Sequence, residues 1–255
     1  MRDLRICQVL SLFLACLCSS PLLGDEPPRQ PENFGLTKVW QVELTLSEKE
    51  YAAMQPAMPG PPGAAPVVPL PGARPAERNV FGMNLPWASG KMTASGQVLE
   101  KVSVRYAGDI TYFVSAQKLK RPILVRILNP DDQARIGAAS LKLHAMPLDP
   151  AMSREALAFE VFRKAGVPAP ATAFAEVTLT VPGVHDKALL GLYTVVEGVD
   201  ARFLSARFGN GDGLLMTPVR MQGIDFLGDE WPAYLAQYQP QRRAERIDVS
   251  AASDV

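Results

Sequence analysis

Apolar and polar residues alternate strictly over Lys38–Leu46 (KVWQVELTL). Trp40, Val42, Leu44 and Leu46 fall on one side, and Val39, Gln41, Glu43 and Thr45 on the other. A period of two with one apolar face predicts a half-buried β-strand. Ser47 follows it with Glu50 three residues on, the pattern of a capping box opening a short helix. The run Gln55–Pro75 (QPAMPGPPGAAPVVPLPGARP) is too dense in Pro, Gly and Ala to support a ladder or bury a core, and predicts a polyproline-like surface insertion. From Gly96 the pattern becomes regular. Gln97–Tyr106 reads as a strand turned by Ala107-Gly108-Asp109, and Pro122–Leu128 and Ser140–Ala145 (SLKLHA) as two more. A helix is expected over Pro150–Lys164, with Asp149 as its cap, Pro150 at its first position and Gly166 at its exit. Ala173–Val181 and Ala188–Val199 form strands on either side of Pro182–Lys187, a long-looped hairpin. Asp200 then caps a helix that Gly209 ends, and Gly213–Thr217 is a short strand. No internal repeat is visible. Strands, helix, hairpin, helix and strand in that order place the chain in the α+β class, a mixed or antiparallel sheet with a packed helix.

The first residues follow a different logic. Arg2 and Arg5 precede the largely apolar run Ile6–Leu17, and small residues lead to Gly24. This is the form of a secretory signal peptide, too short to remain as a membrane span. Cleavage near Gly24 would remove Cys7, Cys16 and Cys18, leaving no thiol in the exported protein. Lipid anchoring at Cys16 is the lesser alternative, because Phe13 suits that cleavage site poorly. Residues 1–24 are thus expected to be a signal, 25–36 a linker, 37–240 the domain and 241–255 a charged tail. No later stretch is long and apolar enough to span a bilayer.

Composition narrows the function. The 255 residues are 47% hydrophobic, and 26 Lys plus Arg balance 26 Asp plus Glu, for zero formal charge. That argues against a nucleic-acid partner, which calls for a basic excess. With only His144 and His185 beyond Cys18, a structural zinc site has too few ligands. There is no Gly-x-Ser-x-Gly elbow and no Gly-x-x-x-x-Gly-Lys loop. The GNGDG run at 209–213 suggests a phosphate or calcium loop but lacks the ligands that should follow, so it reads as a helix exit and turn.

Two positions stand out. On SLKLHA, Leu141, Leu143 and Ala145 point one way and Ser140, Lys142 and His144 the other. A lysine in mid-strand either reaches solvent or meets an anion. On the helix that follows, Ala158, Phe159, Phe162 and Ala165 mark an apolar face, and Glu155 lies within it, about 20° from Phe162. Glu160 sits elsewhere, beside Lys164, as a surface pair. Lys142 is one possible partner for Glu155. If the helix begins at Ser153, Glu155 instead occupies its first turn and favours the helix dipole.

The stretches VRYAGDITYF, LKLHAMPLDPAMSREALAFEVFRKAGVPAPATAFAEVTL, LLGLYTVVEGVDARFLSARFGNGDG and DFLGDEWPAYLAQYQP resemble the spore-coat-H-like (CotH) kinase family, over roughly residues 37–240. The resemblance implies an atypical protein-kinase-like amino-terminal lobe with a hinge and the start of a second lobe. It also implies an exported enzyme that uses ATP and a divalent metal to phosphorylate serines of extracellular or coat proteins. In such a lobe a strand lysine holds the phosphates and a helix glutamate orients it; Lys142 and Glu155 match. By the same resemblance Thr194–Glu197 with Gly198 is the hinge beside the adenine, and Arg105 lies near the nucleotide. The family's catalytic aspartate and metal-binding aspartates have no counterpart: no Asp-x-Asp, no Asp followed five residues on by Asn and no His-Arg-Asp occurs. No catalytic or metal-binding residue is therefore assigned. The expectation is a truncated or inactive kinase relative, the alternative a non-catalytic envelope module that binds a nucleotide or a protein.

Overall fold

The structure, a computed structural model, describes residues 31–56, 76–79, 83–211, 215–218, 225–235 and 237–242. The expected signal peptide, most of the Pro-rich insertion, Gly213 and nearly all of the tail lie outside these residues. Seven strands close into a barrel: β1 (Val39–Thr45), β4 (Ala88–Ala94), β5 (Gln97–Tyr106), β6 (Ile123–Ile127), β7 (Ser140–His144), β9 (His185–Glu197) and β8 (Thr172–Val181), in that spatial order. Neighbours run antiparallel except β8 and β1, whose parallel pairing, Val39 to Phe174 through Thr45 to Thr180, shuts the barrel. Two short ribbons lie apart from it, β2 (Ala76–Arg78) with β3 (Asn84–Pro86) and β10 (Leu215–Pro218) with β11 (Tyr238–Arg242). Among the described residues there are six short helices: α1 (Glu48–Met54), α2 (Ile110–Phe113), α3 (Pro130–Ile136), α4 (Arg154–Lys164), α5 (Ala201–Phe208) and α6 (Trp231–Leu235). The α+β class therefore holds, and the sheet is a closed barrel.

Alternation decides what fills it. Trp40, Val42 and Leu44 point inward from β1, as their spacing predicts. They meet Met92, Leu99, Val102, Val104, Val125, Leu141, Leu143, Tyr193 and Val195. On β8 the inward residues Ala173 and Ala175 are small, leaving room for the Tyr193 ring beside them. A barrel of about this size has space only for its own side chains. Ligand chemistry is thereby left to the outer face and the ends.

Local signals hold at several ends. Ser47 Oγ accepts from Glu50 N, but the Glu50 carboxylate accepts from Ser89 N at 2.6 Å, so it pins α1 to β4. Asp200 Oδ1 accepts from Arg202 N and Phe203 N at the start of α5, and Gly209 ends that helix at φ +73°. β4 is an element the sequence reading does not supply. Its Ser-Gly-Lys centre masks the period, and Gly90 is needed where the strand passes over Thr45 and Leu46. The expected linker also ends in structure: Phe34 packs edge-on against Trp40, and Asn33 Nδ2 donates to the Arg135 carbonyl at the end of α3.

The helix α4 departs most. It begins at Arg154, not Pro150, because Asp149 accepts from the amides of Ala151, Ser153 and Arg154 and holds the intervening residues in a turn. Its roll differs too. Ala156 is fully buried and Phe159, Glu160 and Arg163 are half-buried, whereas Phe162 is 50% exposed. The cause is polar. Arg163 donates to the Pro170 carbonyl and to Glu160 Oε2, so this arginine faces the loop into β8 and turns the apolar residues outward. Glu160 consequently sits under the helix against Arg163, with Lys164 farther off at 3.8 Å.

Candidate functional site

The outer surface of β5, β6 and β7 carries the candidate chemistry, and register assembles it. Arg105 stands opposite Leu124, Leu124 opposite Lys142, and Lys142 opposite Val196, a single row across four strands. The next row is Ser103, Arg126 and Ser140. Strands about 4.8 Å apart set the Arg105 and Lys142 backbones roughly 10 Å from each other on one face. Lys142 is exposed and makes no hydrogen bond or ion pair among the described residues. Arg105 is nearly buried. Its guanidinium lies 5.0 Å from the Trp87 ring and donates to the Tyr106 carbonyl. Arg126, exposed, stacks on the same indole at 4.5 Å. Trp87 thus holds two guanidiniums that would otherwise repel, by cation–π attraction to each.

Glu155 lies at the edge of this face, in the first turn of α4, but its partner is not Lys142. His144 Nδ1 is 2.7 Å from Glu155 Oε2, with both side chains about one-third exposed. The correction has a plain cause. The helix takes the later of the two starts the sequence leaves open, with Ser153 at its N-cap and Glu155 in its first turn, and that turn meets His144 at the end of β7. Asp149 fixes that start. Desolvation pushes its carboxyl up, but the amides of Arg154, Ala151 and Ser153 outweigh it and hold the group below its ordinary range.

Glu197 sits elsewhere. It pairs with Leu141 in register and so faces the other way from Lys142. Its Oε2 accepts from Ala171 N at 2.9 Å and from Arg207 Nη2 at 3.0 Å, and both charged side chains are 3% exposed. Burial pushes this carboxyl up, against the Ala171 amide and the Arg207 charge that draw it down. This is a buried strut joining β9, α5 and the entry to β8. The segment Thr194–Glu197 is hydrogen-bonded along both edges, to β7 and to β8, so the ladders occupy the backbone groups an adenine would need. Gly198 is a packing glycine: a Cβ there would fall on the Ser140 hydroxyl.

The structure therefore brings Lys142 and Arg105 together, sets Glu155 at their edge with His144, and puts Glu197 on the opposite side. Sequence reasoning misses Arg126 and Trp87. The first was legible from alternation in β6, while the second needed β4. A cleft of about 520 Å³ lies away from this face, lined by Arg135, Glu197, Arg202 and Arg207. Among the described residues no three His, Cys, Asp or Glu side chains gather as a metal site, and no helix is long and apolar enough to cross a membrane.

The family model for "CotH kinase protein" matches residues 105–251, more than half of the chain. The chain belongs to the CotH family. The match begins at Arg105 on the candidate face and takes in Lys142, Glu155 and Glu197, while β1 and β4 precede it. No curated protein matches the sequence.

Proposed function

We propose that this CotH-family barrel is the nucleotide-holding, kinase-like lobe of an exported protein, and that the outer face of β5–β6–β7 binds the phosphates of ATP. One observation carries the reading: the cross-strand row that sets Lys142, exposed and without an ionic partner, beside Arg105, with Arg126 one row away. Phosphate oxygens suit a point charge flanked by guanidiniums, whose donors match them bidentately. Trp87 holds Arg105 and Arg126 in place. The fit is to the phosphate chain. The hinge reading of Thr194–Glu197 has no such support, and the residues described supply no ligand set for a divalent metal beyond what the phosphates themselves would bring.

In this reading the established family chemistry is transfer of a phosphoryl group to serines of exported proteins. A base and metal-holding carboxylates are required for that step. The sequence offers neither motif, so these 255 residues are expected to bind nucleotide without turnover. Export is inferred from the basic-then-apolar residues 1–24.

The test is calorimetric titration of Mg-ATP into the purified exported portion of the chain. Saturable binding is expected, weakened about tenfold by Lys142→Met and comparably by Arg105→Ala, since a charge-assisted contact is lost in each. Binding unchanged by both substitutions refutes the assignment. Of the alternative, a non-catalytic envelope module that binds a nucleotide or a protein partner, the protein-binding form has one observation in its favour. Leu157, Val161 and Phe162 form an exposed apolar ridge on α4, between 49% and 65% exposed. Under that reading the wild-type chain binds no nucleotide.

A further inference from the structure

Lys142 is matched to a helix glutamate by resemblance, yet Glu155 engages His144 at 2.7 Å. That contact has consequences for the ring. Glu155 stands on the Nδ1 side of the ring and leaves Nε2 as the open nitrogen. His144 makes no other described contact, is one-third exposed, and points to the same side of β7 as Lys142. We propose that Glu155 serves the basic face through His144: the Glu155–His144 dyad presents Nε2 as a further ligand for the phosphate chain, alongside Lys142. This rests on the nucleotide reading above and adds to it a residue that the strand-lysine and helix-glutamate pattern does not contain.

The proton accounting is definite. An Nε2 without a proton carries a lone pair that would repel a phosphate oxygen. To act as a ligand it takes up one proton from solvent, and Nε2–H then donates to that oxygen. The imidazolium then lies between two anions, carboxylate and phosphate. The charged groups facing the ring are few. Glu155 comes from α4 and Lys142 from β7 itself, whereas β9 contributes Thr194 opposite and the approach to β6 contributes Pro122. Arg154, the other charge in the first turn of α4, is turned to Asp149 at 3.4 Å. Glu155 is thus the anion that counters a charged His144, and Lys142 is the cation whose repulsion a bound phosphate would relieve.

The experiment uses ATP as the probe and the same exported chain. Calorimetry is run in two buffers of different ionisation enthalpy, on the wild type and on His144→Ala, His144→Gln, Glu155→Gln and Lys142→Met, with the double variants. Expected are an affinity loss of about tenfold for His144→Ala, partial rescue by His144→Gln, and a proton uptake on binding that His144→Ala abolishes. Glu155→Gln should weaken binding in the wild type and in Lys142→Met, but not in His144→Ala. If the effect of Glu155→Gln disappears in Lys142→Met instead, the dyad is wrong. If ATP binds the wild type but is indifferent to His144→Ala, this inference alone fails. If ATP does not bind the wild type at all, the nucleotide reading fails and takes the inference with it.

Discussion

Individual side chains in this protein take their roles from the side of a strand on which they fall. Lys142 and Glu197 come from adjacent strands and nearly the same level, yet one is exposed on the outer face and the other is buried with Arg207. Alternation in SLKLH made the first legible. The second was not, because nothing in the sequence shows that β9 lies between β7 and β8 with its end sealed by α5. Removing Glu197 would leave the Arg207 charge buried and the Ala171 amide without its acceptor. We expect Glu197→Ala to lose about 3 kcal/mol in urea unfolding, with no selective effect on ATP. The tyrosines supply a pH prediction. Burial pushes the phenols of Tyr106 and Tyr193 far above their ordinary value, and that of Tyr112 upward as well. In the unfolded chain these groups ionise near pH 10, while in the fold they cannot. Their contribution is therefore intact below about pH 10 and is lost as pH rises beyond it. The urea midpoint should fall steeply between about pH 9.5 and 11, and the fall should shrink in Tyr193→Phe. A flat profile would mean that these rings reach water.

At the level of elements, most strands were readable and the decisive helix was not. β5 spans the residues its period predicts, and β1, β6 and β7 lie within a residue or so of expectation. Each has one apolar face in a closed barrel, the condition under which a period of two is a faithful guide. α4 breaks the analogous rule because its buried face is polar. Arg163 and Glu160 set its roll, and a count of apolar positions cannot see an ion pair. Its start was displaced for a related reason: Asp149 uses its carboxylate on three amides of a turn before the helix begins. That carboxylate is held below its ordinary range, so it stabilises the fold above the usual carboxylate pKa, and the effect is lost as pH falls through its lowered value. Asp149→Ala should lower the melting temperature at pH 7 and close the gap to wild type towards pH 2. Loss of that turn should also loosen the Glu155–His144 contact, which depends on where α4 begins.

Taken as a whole, the barrel is filled by its own side chains, among them Leu141, Leu143, Val125 and Tyr193, and the candidate chemistry lies on its outer face. The sheet register sets Arg105, where the family match begins, in a row with Lys142. Sequence alone could name both residues but could not place them together, because that requires knowing that β6 lies between β5 and β7. The competing surface is the cleft with Arg135 and Arg202, at the strand ends where β5 begins and β9 finishes. Amide chemical shifts recorded while tripolyphosphate is added to the isotopically labelled chain distinguish the two most directly. Shifts concentrated at Arg105, Leu124–Arg126 and Ser140–His144, and lost in Lys142→Met, are the predicted result. Shifts concentrated at Arg135, Arg202 and Arg207, with β7 unmoved, would contradict the account.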